Sequence, residues 1–122
     1  MNKVILTPDQ KSTIDNCLLD FLICGSSSKP SYLPFALSGL LKPEGFGMEM
    51  SGIYISTDAD PDNMPGYLEE GIAFEFMEGQ VTLPFCQAVE YITEWCHNRV
   101  LPEELKIEPI LKMLNEMYSS PD

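Results

Sequence analysis

The stretch from Gly71 to His97 constrains the fold most strongly, because its hydrophobic period changes once along its length. In its first half, apolar residues alternate with other residues, which is the pattern of half-buried strands. The alternating apolar positions are Ile72, Phe74, Phe76, Val81 and Leu83. Glu78 and Gly79 interrupt the alternation and predict a tight turn in which Gly79 takes a positive φ. The sequence therefore predicts a β-hairpin over residues 71–84.

From Phe85 onward the apolar residues recur at helical spacing. Their positions are Phe85, Ala88, Val89, Ile92, Trp95 and Cys96. Gln87, Glu90 and Glu94 fall on the opposite side of this predicted helix. Hairpin and helix can bury one shared apolar face, and we expect the following side chains to form core and not partner surface: Phe74, Phe76, Val89, Ile92 and Trp95.

The flanking sequence adds helices and one more strand. Thr7, Pro8 and Gln10 form a capping-box pattern that starts an N-terminal helix, and Gly25 is a suitable end for it. The sequence predicts a loop over residues 26–30, a short helix over residues 32–41, and a strand over residues 48–57, chiefly near 50–57 and around Ile53, Tyr54 and Ile55. Helix starts are predicted at residues 101–104 and again at Pro109, with a buried stripe at Ile110, Leu111, Leu114 and Met117. At 122 residues, the chain is expected to form a single domain over 1–122, of the α+β class, with a small antiparallel β-sheet packed with N-terminal and C-terminal helices.

The cysteines and the histidine offer little chemistry. The four cysteines lack C-x-x-C spacing, and each lies in an apolar helical pattern, so buried free thiols are expected over disulfides or a zinc site. His97 is the only histidine, and sequence neighbours on a helix do not face each other, which disfavours a pair with Cys96. Motifs for phosphate binding or hydrolysis are missing as well. We therefore expect no enzymatic activity, no cofactor and no metal.

Charge is the most informative property of the sequence. Nineteen acidic residues against seven basic ones give a net charge of −12, and no Lys or Arg occurs between Pro43 and Asn98, a span with eleven acids. Such a field disfavours nucleic acid and anionic membrane and favours a basic protein or a cation as partner. No apolar run approaches the ~20 residues that cross a bilayer, and the apolar run at Val4 to Leu6 is too short for a signal peptide. These features predict a cytoplasmic protein.

The acidic segment from Asp58 to Glu78 is the predicted docking region. Its loop is flexible enough to enter a groove, and exposed acids without a nearby base are available to an external partner. The candidate partner-binding residues are Asp58, Asp60, Asp62, Glu69, Glu70, Glu75 and Glu78. An alternative is a calcium-responsive binding module, because Asp58, Asp60, Asp62 and Glu69 have EF-hand spacing, although Pro65 and the missing glycine at position six depart from that motif.

The run GIAFEFMEGQVTLPFCQAVEYITEWC resembles the closing half of immunity proteins of bacterial contact-dependent growth inhibition systems, in the group that neutralises ribonuclease toxins. The matching features are Gly71, Phe74, the acidic turn at Glu78-Gly79, the strand to Leu83 and the helix with Tyr91. The resemblance covers about residues 58–97 and carries over no individual binding residues. It implies a non-enzymatic protein that binds a cognate toxin domain and occludes its active site. A small accessory or chaperone subunit for a basic protein remains a further alternative.

Overall fold

The computed structural model describes residues 3–25, 31–99, 101 and 105–118. Within these residues the chain forms four α-helices and one four-stranded antiparallel sheet, as the sequence predicted for the fold class. In chain order the elements are α1 (Pro8–Ile23), α2 (Leu33–Gly39), β1 (Phe46–Gly47), β2 (Ser51–Ile55), a 3-10 turn (Pro61–Asn63), β3 (Ile72–Phe76), β4 (Gly79–Leu83), α3 (Phe85–His97) and α4 (Ile107–Met117). No helix of the described ranges is long and apolar enough to cross a membrane.

The sheet has the order β1-β2-β3-β4, and every neighbouring pair is antiparallel. Ile53 pairs with Phe74, and Phe74 with Val81, so these side chains share one face. We call this the inward face, since α1 packs against β2, β3 and β4. The opposite, outward face carries Tyr54, Glu75 and their neighbours.

The core lies between the inward face and the helices. Phe21 of α1, Phe74 of β3 and Ile92 of α3 are all fully buried. The thiol of Cys17 donates to the Gly52 carbonyl oxygen at 3.4 Å. This contact holds α1 against β2 at the level of the sheet centre. Of the predicted core residues, Phe74, Val89, Ile92 and Trp95 are buried, whereas Phe76 is only partly buried and packs at the edge of the cluster.

The helix starts follow their local sequence in different ways. In α1 the Thr7 hydroxyl accepts from the Gln10 N–H at 3.2 Å, and the Gln10 side chain accepts from the Thr7 N–H at 2.9 Å, as the capping box predicted. Helix α4 begins at Ile107, two residues before the predicted start at Pro109. Pro109 lies in the first turn of the helix, where a proline is tolerated. Its buried residues are Ile107, Leu111 and Leu114, while Ile110 is only partly buried and Met117 is exposed, so that part of the predicted stripe is wrong.

The strand region differs from the sequence prediction in two places. Residues 48–51 form a turn, closed by the Met48 N–H and the Ser51 carbonyl, so the strand predicted over 48–57 is confined to β2 and an additional strand, β1, precedes it. The hairpin turn consists of Met77 and Glu78, and the positive φ, 55°, belongs to Met77 and not to Gly79. The predicted loop at 26–30 and most of the predicted helix start at 101–104 lie outside the described residues.

Candidate docking surface

Part of the outward face of the sheet lies against the long connection between β2 and β3. Residues 56–71 join β2 to β3, and part of this connection lies against the outward side chains. The hydroxyl of Tyr67 donates to the Glu75 carboxylate at 2.8 Å, which holds the end of the connection on the sheet. This side of the molecule therefore consists of strand side chains and an acidic loop, all from the part of the sequence without Lys or Arg.

Asp58 organises the acidic loop from inside. Its carboxylate accepts hydrogen bonds from the N–H of Gly45 at 2.8 Å, the N–H of Asp60 at 2.9 Å and the side-chain amide of Asn63 at 2.8 Å. Burial raises the pKa of Asp58, but these three donors outweigh burial and hold the pKa below its ordinary value. Asp58 is 9 % exposed, so it is the anchor of the loop and is not an unpartnered surface acid.

Glu75 also differs from the exposed, unpartnered acid that the alternation of β3 suggests. It does lie on the outward face, opposite Gly52 on β2 and Gln80 on β4, but it is half-buried and is held by Tyr67. Burial and the adjacent Glu75 carboxylate raise the pKa of Tyr67, so the phenol stays protonated and remains a donor at neutral pH.

Five of the seven candidates are exposed. Asp60 caps the 3-10 turn through the Asp62 N–H at 3.0 Å and still faces solvent. The remaining exposed acids form no side-chain hydrogen bond or ion pair with any described residue; they are Asp62, Glu69, Glu70 and Glu78. We call Asp60 together with these four the exposed acids. Their arrangement fits the docking prediction better than Asp58 and Glu75 do.

The exposed acids are distributed along the length of the sheet. Glu69 and Glu70 precede the first residue of β3, while Glu78 follows its last residue, so they lie at opposite ends of a five-residue strand. At about 3.3 Å per residue this strand is about 17 Å long. A partner that contacts both ends must therefore span the length of β3, and a point contact at one loop would not suffice.

Two methionines extend this surface in a way that the sequence interpretation missed. Met50 and Met77 are 48 % and 68 % exposed, and the Met77 N–H donates to the Met50 carbonyl oxygen at 2.7 Å. The turns that contain them thus lie side by side, next to Glu49 and Glu78. Flexible methionine side chains suit protein contact surfaces. The exposed pair was not visible in the sequence because it depends on the register of β2 against β3.

The loop geometry does not resemble a calcium cage. No group of three or more His, Cys, Asp or Glu side chains in the described ranges is arranged to hold a metal ion, and residues 58–69 are all described. Asp58, which would be the first ligand, directs its oxygens to protein donors instead. The spacing of the four acids therefore reflects an Asp-anchored loop.

The four cysteines and the single histidine lie outside the acidic segment from Asp58 to Glu78 in the sequence. All four cysteines are free thiols, and burial raises the pKa of Cys17 and of Cys96 to about 12. His97 pairs through Nε2 with the Glu108 carboxylate at 2.6 Å, which links the end of α3 to the start of α4. The His97–Glu108 pair thus connects α3 to α4, and the Cys17 thiol connects α1 to β2 through the Gly52 carbonyl.

Comparisons with known proteins leave the surface to be interpreted on its own geometry and charge. No family model matches the chain, and neither a curated protein nor a solved structure matches it.

Proposed function

We propose that this protein is a non-enzymatic immunity protein of the cytoplasm that binds a cognate toxin domain, a basic nuclease, and occludes the active site of that domain. The observation that supports the proposal is a set of five exposed acids on a segment without Lys or Arg, part of which lies against the outward face of the sheet. A nuclease presents a positive groove to its nucleic acid, and an acidic surface competes for that groove.

The distribution of basic residues supports the same proposal. Within the described ranges, lysine and arginine occur on α1, on α4 and on segments beside helices; they are Lys3, Lys11, Lys42, Arg99, Lys106 and Lys112. Lys3 pairs with Glu90 of α3 at 3.1 Å, and Arg99 stacks over the Trp95 ring at 4.1 Å. The helices and the segments beside them thus carry charges of both signs, whereas the segment from Asp58 to Glu78 has acids and no Lys or Arg, and this difference orients a basic partner toward that segment.

The proposed function is tested with the toxin domain encoded immediately upstream of this gene. We expect one equivalent of the protein to abolish RNA or DNA cleavage by that domain, and the protein alone to cleave neither. A gene neighbourhood without a toxin, together with binding to a basic protein of another kind, would favour the accessory-subunit alternative. Turnover by the purified protein that is lost on changing His97 or Cys96 would contradict the non-enzymatic interpretation.

A matched pair of variants connects inhibition to the surface. The test variant carries Asp60→Asn, Asp62→Asn, Glu69→Gln, Glu70→Gln and Glu78→Gln. The control variant loses the same five charges from exposed acids on the helices, through Asp9→Asn, Glu90→Gln, Glu94→Gln, Glu108→Gln and Glu116→Gln. We expect the test variant to lose inhibition and the control variant to keep it. Equal losses in both variants would mean that only net charge matters.

A further inference from the structure

We propose that a pocket on the outward face binds an arginine side chain of the partner. The pocket has a volume of about 270 Å³ and is lined by Tyr54, Asp62, Asn63, Met64, Pro65 and Glu75. It combines an aromatic ring, two carboxylates and a side-chain amide in one cavity. The inference deepens the proposed function and rests on it, because it names the group on a basic partner that this surface recognises.

The aromatic wall of the pocket is fixed by glycines. Gly45, Gly47 and Gly52 lie against the Tyr54 ring, and a Cβ atom at Gly52 would come within 2.7 Å of the ring carbon that carries the hydroxyl. A side chain at any of the three positions would displace the ring. The ring therefore lies along the sheet in a defined position and can stack on a flat cation without being reordered.

The carboxylates of the pocket retain free acceptor capacity. Glu75 accepts the Tyr67 hydroxyl through Oε2, and its Oε1 forms no side-chain hydrogen bond with a described residue. Asp62 likewise forms none through its carboxylate. Since no described lysine or arginine approaches either group, the pocket has negative charge that the protein itself does not neutralise.

Arginine fits this arrangement better than lysine does. A guanidinium is planar and presents five N–H donors, so it can stack on Tyr54 while donating to carboxylate oxygens at its edge. An ammonium group is compact and strongly hydrated, and it gains less from a flat ring. The partially buried position of Glu75 strengthens its attraction for a cation, since solvent screens it less than an exposed acid.

Titration with Nα-acetyl-arginine methylamide tests the pocket without any partner protein. In ¹⁵N-HSQC spectra at constant ionic strength, we expect saturable shifts at the amides of Tyr54, Asn63 and Glu75. The lysine analogue should shift the same amides less, and the citrulline analogue, which has nearly the same shape and no charge, should not shift them. Shifts scattered over all acids, or equal shifts with citrulline, would overturn the proposal.

Variants separate the pocket from the general acidity of the surface. Glu75→Gln keeps an acceptor for Tyr67, and Asp62→Asn alters an exposed residue that no described contact requires for folding. We expect each to weaken arginine binding about tenfold, and we expect Glu116→Gln, the same charge loss on α4 and outside the pocket, to leave it unchanged. Equal effects of Asp62→Asn and Glu116→Gln would overturn the proposal even if Glu75→Gln failed to fold.

The pocket and the proposed function can fail separately. If arginine binds but the toxin domain is not inhibited, the proposed function is wrong and the pocket stands. If the toxin domain is inhibited but neither Asp62→Asn nor Glu75→Gln weakens arginine binding or inhibition, the pocket is wrong and the docking surface stands.

Discussion

Asp58 shows how one buried carboxylate can organise an acidic loop. It joins Gly45, which precedes β1, to Asp60 and Asn63 of its own loop, and these three donors favour its charged form. Because Asp60 and Asp62 follow it directly, its hydrogen bonds also set where the neighbouring exposed acids lie. The residue thus contributes to the docking surface by positioning others, although it is itself buried.

We predict that Asp58→Asn lowers the free energy of unfolding by about 1–3 kcal/mol at neutral pH, since it removes charge-assisted hydrogen bonds. The pKa of Asp58 is lower in the folded protein than its ordinary value of 3.8. Its stabilisation is therefore present above pH 3.8 and is lost as the pH falls through the folded-state pKa. Urea unfolding of both proteins should show a difference at pH 7 that shrinks as the pH falls below 3.8. A difference independent of pH would contradict this role.

Met77 carries the positive φ of the hairpin turn, where a side chain is strained. We predict that Met77→Gly stabilises the protein by about 0.5–1 kcal/mol, the relieved strain exceeding the extra entropy of the unfolded chain. Gly79→Ala should instead destabilise it, because the new Cβ would lie 2.8 Å from the Thr13 hydroxyl, which donates to the Asp9 carbonyl. Thermal melts of both variants measure these changes, and a Met77→Gly variant no more stable than the wild type would contradict a strained backbone at Met77.

Phe74 is the central side chain of the inward face and is fully buried. We predict that Phe74→Ala costs about 3–5 kcal/mol, from lost transfer free energy and the cavity left behind. This is a large part of the ~5–15 kcal/mol of a typical domain. Chemical denaturation measures it, and Phe35→Ala, at a side chain that is 44 % exposed, serves as the control with a smaller cost. Wild-type stability combined with lost partner binding would place Phe74 at an interface.

At the scale of elements, α3 is attached to α1 by a polar contact as well as by the core. The Tyr91 hydroxyl donates to the Asp15 carboxylate at 2.7 Å. Burial and the nearby carboxylate raise the pKa of Tyr91, so the phenol stays a donor across the neutral range. This bond holds α3 against α1.

We predict that Tyr91→Phe costs about 1–2 kcal/mol in unfolding free energy, since the hydrogen bond is to a charged group that is partly exposed. Asp15→Asn should cost less, because the amide oxygen still accepts from the phenol. The double variant should show that the two effects are not additive. Additive effects in denaturant unfolding would mean that the two side chains stabilise the protein independently.

Local sequence predicted the elements whose signals are complete within a few residues. The capping box of α1, the hairpin position and the apolar stripe of α3 are of this kind, and the structure confirms them. Local sequence did not predict β1, because Gly45 and Gly47 look like turn residues until the ring that they accommodate, Tyr54, is known. The hairpin turn was misplaced for a similar reason, since Gly79 is required by the proximity of Thr13 and not by its own φ.

The candidate site was predicted in outline only. The missing lysines and arginines identified the segment, and five of its seven acids are exposed. Sequence could not show that Asp58 is buried or that Glu75 is held by Tyr67, because both depend on how residues 56–71 fold back on the sheet. The pocket beside Tyr54 depends on the same packing.

At the scale of the whole molecule, the fold divides into a helical side and a sheet side of different charge. The core lies between the two sides. The described basic residues lie on or beside helices, among acids such as Asp9, Glu94 and Glu116, while the exposed acids lie on a segment without Lys or Arg. Because the exposed acids are not part of the core, they can be substituted without removing a core side chain. Because its charges are exposed, most of them should affect association rate more than final affinity.

The most direct test of the docking surface is the salt dependence of association with the toxin domain, measured for three proteins: the wild type, the variant with five neutralised exposed acids and the matched helical control. Rates are recorded by stopped flow between about 20 mM and about 500 mM NaCl, a range over which screening becomes strong. For the wild type and the control we predict fast association at low salt, toward ~10⁸ M⁻¹s⁻¹, that slows steeply as salt rises. The variant without the exposed acids should associate slowly with a shallow salt slope. The same rate and slope in all three proteins would contradict the account and place the docking face elsewhere.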